Sequence, residues 1–278
     1  MDTTSLTGKE LAAALNAETE QRAAALTERG SAPRLVLVVA NDDPASGWYV
    51  KSLQRAADRL GIACDTVDLG ADATAEAIRA ELTKLSGDPA VDAVMLQTPL
   101  PAGVALDDVS SAIAAGKDVD GVSPLSLGLL AAGLPTFPPA TAEAVVELAA
   151  HHGIPLAGRH VAVVGRSNVV GKPLAQLLLA ENATVTVCHS RTVDLPAVTA
   201  AADIVVAARG RAGRGGAPNP TRPPGGPTAG PRGRPPPPPG AENYRRAQTS
   251  SDAAVSRAPK ASHSEPSDTR CKVYRCLP

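Results

Sequence analysis

No run of 18 apolar residues occurs in the sequence, and its start, MDTTSLTGKELAAAL, lacks a basic region followed by an apolar stretch. Neither a membrane-spanning helix nor a secretory signal is therefore predicted. Cysteine is scarce: Cys64 and Cys188 are isolated in apolar surroundings, and Cys271 and Cys276 form a lone C-x4-C. That spacing reads as neither a disulfide framework nor a zinc site, so no metal is predicted and a reducing cytoplasm is the expected compartment. Aromatic residues make up 2% of the chain, and after residue 208 only Tyr244 and Tyr274 remain. Stacking on bases has little support from two rings, and no nucleic-acid partner is predicted.

Net charge is also nearly absent, at −1, but this average hides two unlike parts. Residues 1–208 hold 14 Lys+Arg against 24 Asp+Glu, whereas residues 209–278 hold 13 against 4. The second part also carries 14 of the 26 prolines and 9 of the 24 glycines. A Pro/Gly/Arg-rich segment without a period buries too little apolar surface to offset its ordering entropy, so a disordered tail is expected there. The function belongs to residues 1–208, which suffice for a sizeable core.

Within that part, apolar β-type runs alternate with Ala/Leu-rich amphipathic stretches, the pattern of a parallel sheet covered by helices. Strands are predicted at 35–39, 64–69, 91–97, 160–165, 184–189 and 203–208. Helices are predicted at 46–60, ending at an αL cap on Gly61, and at 73–85, 106–115, 142–151, 172–181 and 195–201. The result is an α/β protein of two units with a seam near residue 140: an N-terminal domain over 1–140, a Rossmann-like domain over 141–208 that stops short, and the tail over 209–278.

Residues 165–171, Gly-Arg-Ser-Asn-Val-Val-Gly, follow a strand and precede a helix. Gly165 permits a sharp turn, Gly171 permits close approach to the first helical turn, and free N–H groups there suit an anion. A tight turn with no ligand has the same spacing. Arg166 could grip a 2′-phosphate, and the next strand ends in His189-Ser190-Arg191-Thr192 rather than in an acid for ribose hydroxyls. NADP is thus favoured over NAD.

Five phrases in register resemble the bifunctional methylenetetrahydrofolate dehydrogenase/cyclohydrolase (FolD) family. They are Asp43-Pro44-Ala45-Ser46 with Tyr49-Val50, Leu96-Gln97-Thr98-Pro99-Leu100-Pro101, Lys117-Asp118-Val119-Asp120-Gly121, Gly165 through Pro173, and Ala183 through Thr192. The resemblance implies a catalytic domain facing an NADP domain, a tetrahydrofolate derivative as substrate, a homodimer, and a place in one-carbon metabolism and purine biosynthesis. It implies oxidation of 5,10-methylenetetrahydrofolate, then hydrolysis of the methenyl product to 10-formyltetrahydrofolate. Tyr49, Gln97 and Asp120 take the catalytic positions, Asp120 gripping the pterin ring. Gly165, Arg166, Ser167, Gly171 and Ser190 take the cofactor positions.

Departures from the pattern matter as much. The family lysine four residues after the tyrosine is Leu53 here, on the same helix face as Tyr49. Lys51 should face away as a surface charge, so the hydrolase step is expected to be weak or absent. Ala140 and Ala142 replace a family cysteine and proline, and Ser126 stands where an asparagine is usual. The last strands of the Rossmann unit and its glycine-rich segment have no match after Ala208, which predicts an unpaired sheet edge and weak nucleotide binding. Two other readings are a non-catalytic folate- or nucleotide-binding paralogue, favoured by Leu53, and an interaction protein acting through its basic Pro-rich tail. A natural flexible tail competes with a reading-frame disruption near residue 208, the explanation favoured here. The nucleotide sequence across codons 205–212 decides between them: the disruption predicts that another frame encodes the missing glycine-rich segment, and its absence from every frame defeats that explanation.

Overall fold

The computed structural model describes residues 4–208, 254–256 and 271–274. Eight helices and nine strands are distinguished there, in the order β1(Thr4–Leu6) α1(Lys9–Glu28) β2(Arg34–Val39) α2(Pro44–Arg59) β3(Ala63–Asp68) α3(Ala75–Gly87) β4(Ala93–Leu96) α4(Leu106–Ser110) α5(Pro124–Ala131) α6(Ala140–His151) β5(His160–Val164) α7(Gly171–Ala180) β6(Thr184–Cys188) α8(Leu195–Ala201) β7(Ile204–Ala207) β8(Ala254–Ser256) β9(Cys271–Tyr274). They form a three-stranded parallel sheet, β3-β2-β4, and a six-stranded sheet, β1-β9-β8-β7-β5-β6.

β2 shows why an unbroken apolar run makes a central strand. Val36 and Val38 face α3 with Ile78 and Leu82, while Leu37 and Val39 face the other way with Val50 of α2. Both faces are covered, so polar alternation is absent. α2 begins at Asp43, whose side chain accepts the Ala45 N–H at 3.2 Å ahead of Pro44. It ends as the sequence predicts: Gly61 has φ +71°, with Ile62 N–H to Ala57 O at 3.0 Å and Gly61 N–H to Asp58 O at 3.3 Å, a Schellman closure. A second core holds Leu148 of α6, Val161 and Val163 of β5, Leu174 and Leu178 of α7, and Ile204 and Val206 of β7. Leu6 and Leu11, at the other end of the sequence, pack against this core, and Thr7 O lies 3.0 Å from His152 Nε2.

Four departures from the sequence reading are instructive. The 20-residue α1 is absent from it, and only Ala23 of that helix is buried. α5 is likewise absent. The helix predicted over 106–115 stops at Ser110 because Ser86 Oγ donates to Ala112 O and accepts from Ala114 N–H, both at 3.0 Å, drawing those groups away from a helical ladder. Finally, β7 is not the bare edge the sequence predicts: β8 pairs with it antiparallel, Val206 opposite Val255, and β9 pairs with β8. The rest of the segment expected to be disordered lies outside the described residues.

Separate apolar clusters predict separable energetics. Leu82→Ala and Leu178→Ala should each cost about 2–5 kcal/mol in denaturant unfolding, with the double variant additive within about 0.5 kcal/mol.

Candidate functional site

Parallel strands release their ends on one side, and three sequence-predicted residues gather there. Gln97 directly follows β4; it is buried, and its N–H donates to Val38 O at 2.9 Å. The 117–121 segment runs beside β4 as an added parallel strand, through a Val94–Asp118 bridge and a 2.8 Å bond from Val94 N–H to Lys117 O. Asp120, two residues beyond the bridge, therefore leaves at the same end as Gln97. Tyr49 arrives from β2 through the Asn41–Asp43 turn, where Asn41 Nδ2 donates to Pro99 O at 2.9 Å and joins the two strand exits.

The electrostatics agree with that convergence. Burial, and then the charge of Asp120, push the Tyr49 phenol above its ordinary range. Burial, and then the charge of Asp118, raise Asp120 to about 6. Tyr49 and Asp120 thus share a partly desolvated site in which the phenol stays protonated at neutral pH. One turn before Tyr49, the buried Ser46 Oγ has no hydrogen-bond partner. Lys51 is exposed, as expected. Leu53 is partly buried and packs against the cluster of Leu37, Val39 and Val50 beneath α2. Gly121 has φ +58°, and a Cβ there would stand 2.3 Å from Phe137 O, so the turn after Asp120 admits no side chain.

Sequence reasoning missed two supports of this edge. Lys117 Nζ donates to Asp88 O at 2.6 Å, where a cation also meets the negative end of α3. Asp118 is fully buried and receives several hydrogen bonds. The repeated Asp of Asp118-Val119-Asp120 was the available signal, but period-two placement turns both side chains the same way without telling which one is covered.

The glycine loop joins β5 to α7. Gly165 has φ +143°, and a Cβ there would lie 2.2 Å from Ala208 O; one on Gly171 would lie 2.3 Å from Gly165 O. Both glycines therefore serve the close folding of the loop. The N–H groups expected to be free are engaged: Val170 and Gly171 donate to Ser167 Oγ at 3.2 and 3.4 Å, and Lys172 donates to Ser167 O at 3.0 Å. An anion would meet instead the exposed side chains of Arg166, Ser190 and Arg191. Asn168 Nδ2 reaches both carboxylate oxygens of Asp107, at 3.3 and 3.2 Å, and so ties this loop to the first unit. Among the described residues, no group of three His, Cys, Asp or Glu could hold a metal ion, and no helix is long and apolar enough to cross a membrane.

Residues 6–120 match the tetrahydrofolate dehydrogenase/cyclohydrolase catalytic domain, and residues 139–214 match the NAD(P)-binding domain of the same enzymes. The chain is 79% identical over 213 residues to the bifunctional protein FolD of Nocardia farcinica, a match covering 77% of this chain and 75% of that one. Among solved structures, the bifunctional FolD dehydrogenase/cyclohydrolase of Campylobacter jejuni superimposes with a TM-score of 0.73 at 35% identity, covering 76% of this chain and 75% of the other. The FolD of Trypanosoma brucei, solved with NADP cofactor and inhibitor, gives 0.71 at 33% identity, covering 76% and 73%.

The raised pKa of Asp120 has a stability consequence. The folded state holds the proton more tightly, so stability is full below the ordinary carboxylate range, about pH 4, and falls as pH rises through about 6. Asp120→Asn should match the parent in thermal unfolding at pH 4 and exceed it by about 2 kcal/mol at pH 7.5. A constant difference across that range would contradict the assignment.

Proposed function

Because the chain belongs to the tetrahydrofolate dehydrogenase/cyclohydrolase family, we propose that it catalyses NADP-dependent oxidation of 5,10-methylenetetrahydrofolate to 5,10-methenyltetrahydrofolate, with the hydrolysis to 10-formyltetrahydrofolate impaired. The observation that carries this reading is the convergence of Tyr49, Gln97 and Asp120 on one strand-end edge, where Asp120 lies near enough for its charge to raise the Tyr49 phenol. Residues 1–140 would bind the folate and residues 141–208 the nucleotide, in a cytoplasmic homodimer.

The donor set at the nucleotide site is cationic and hydroxylic: Arg166, Ser167, Ser190 and Arg191, with no acid where β6 ends. This fits a phosphate-bearing ribose and disfavours a bare ribose diol. When bound, NADP supplies the hydride acceptor. The protein's own residues hold the one-carbon bridge in place. Asp120 has the chemistry to bond the amide and amidine edge of a pterin, in either protonation state near neutral pH. Tyr49 keeps its proton and acts as a hydrogen-bond donor, while Gln97, fixed by its backbone bond to β2, offers an amide that both donates and accepts.

Hydrolysis makes a different demand, since the attacking water must lose a proton. Leu53 can neither take that proton nor hold a neighbouring charge. A lysine at this position would lay its stem against the cluster of Leu37, Val39 and Val50 and extend its ammonium toward solvent at the cleft. Leu53 also supports a second reading, a folate-binding paralogue without turnover.

Methylenetetrahydrofolate-dependent NADPH formation by the purified chain tests the enzyme reading, and folate binding without NADPH formation favours the paralogue. Methenyltetrahydrofolate hydrolysis should be weak in the parent and rise at least about tenfold in Leu53→Lys. No gain in methenyl turnover counts against the role given to Leu53.

A further inference from the structure

Asp118 is the buried charge that the reaction above leaves without a task. Its carboxylate is fully enclosed, and three donors converge on it: Ser126 Oγ at 2.6 Å, Ser123 N–H at 2.9 Å and Val122 N–H at 3.3 Å. The two serines are themselves linked, Ser123 Oγ to Ser126 Oγ at 2.9 Å and Ser126 N–H to Ser123 Oγ at 3.1 Å. A carboxylate out of water persists where several donors compensate it, and here they close residues 118–126 into a loop leading into α5.

That closure confines Asp120 from both sides. On one side, residue 118 is bridged to Val94 of β4. On the other, Gly121 N–H returns to Asp118 O at 3.0 Å, and the Gly121 backbone is pressed against Phe137 O. We propose that Asp118 is a positioning residue: held by the 122–126 turn, it sets where the Asp120 carboxyl stands against the substrate ring and keeps a fixed negative charge beside it. This rests on the folate-binding reading of Asp120. Burial is the first cause of the raised Asp120 pKa, and Asp118 is the second. The groups facing Asp120 are Asp118 on its own segment and Tyr49 on α2. Lys117 is turned away, toward the carbonyls of Leu85 and Asp88, and residues 136–139 bring no titratable side chain. A purely structural anchor for the start of α5 would need the donors on Asp118 but not its charge beside Asp120.

The experiment uses the full chain with Asp118→Asn and Ser126→Ala. The Asp120 carboxyl is titrated by carbon-13 NMR without ligand, and KM and kcat are measured with methylenetetrahydrofolate. In Asp118→Asn the Asp120 midpoint should fall below that of the parent, while KM rises about tenfold and kcat stays within about threefold. Ser126→Ala keeps the charge and the two backbone donors, so its midpoint should remain at the parent value while KM rises about threefold. An unmoved midpoint in a folded Asp118→Asn overturns the proposal. If that variant does not fold, an unchanged KM in Ser126→Ala overturns it. If the parent neither turns over nor binds methylenetetrahydrofolate, the folate reading fails, and the ligand-free titration still decides the role of Asp118.

Discussion

The parallel pairing of β2 with β3 and β4 is the interaction on which the rest of the first unit depends. A strand covered on both faces can offer a ligand only its end, and β2, with Val36 and Val38 on one side and Leu37 and Val39 on the other, is such a strand. Parallel neighbours put their ends together. Tyr49, Gln97 and Asp120 are therefore brought to one edge by the direction of three chain segments, although 71 residues separate the first from the last. The loops at that edge are held by backbone and side-chain bonds from Asn41, Lys117 and Asp118, so the site rests on rigid supports.

How much of this could be read from the sequence depended on whether a segment's neighbours were encoded locally. Buried strands announced themselves as apolar runs, and the end of α2 at Gly61 was legible because a left-handed cap favours glycine. α1 gave little signal, since it buries a single alanine and shows no apolar stripe. α5 mixes Pro124, Gly128 and four leucines without a helical period, and its start is fixed by the distant turn that Asp118 organises. In the site, Tyr49, Gln97 and Asp120 came from motif phrases, whereas Asp118 was invisible as a support because its burial is decided by β4 and by serines five and eight residues later. The glycine loop was correctly placed, but its engaged amides follow from the rotamer of Ser167, which spacing does not specify.

On the proposed reading, in which Leu53 stands in place of the family lysine, the fold offers little resistance to such a change. The Leu53 side chain joins an apolar cluster already present beneath α2, where an aliphatic residue packs without bringing in a polar group. Lysine at such a position is kept by chemistry alone, against a slight packing preference for an aliphatic residue.

The docking of Leu6 and Leu11 on the second core joins segments synthesised far apart in time. Residues 4–11 leave the ribosome well before the core they pack against, which runs from Leu148 to Val206, has been made. The first unit can thus close its sheet while the segment that precedes it waits for the second core to form. Translation of the residues that follow, through the core and on to the β9 partner of β1, would then set how long that apolar segment is open to chaperones or to misplaced pairing.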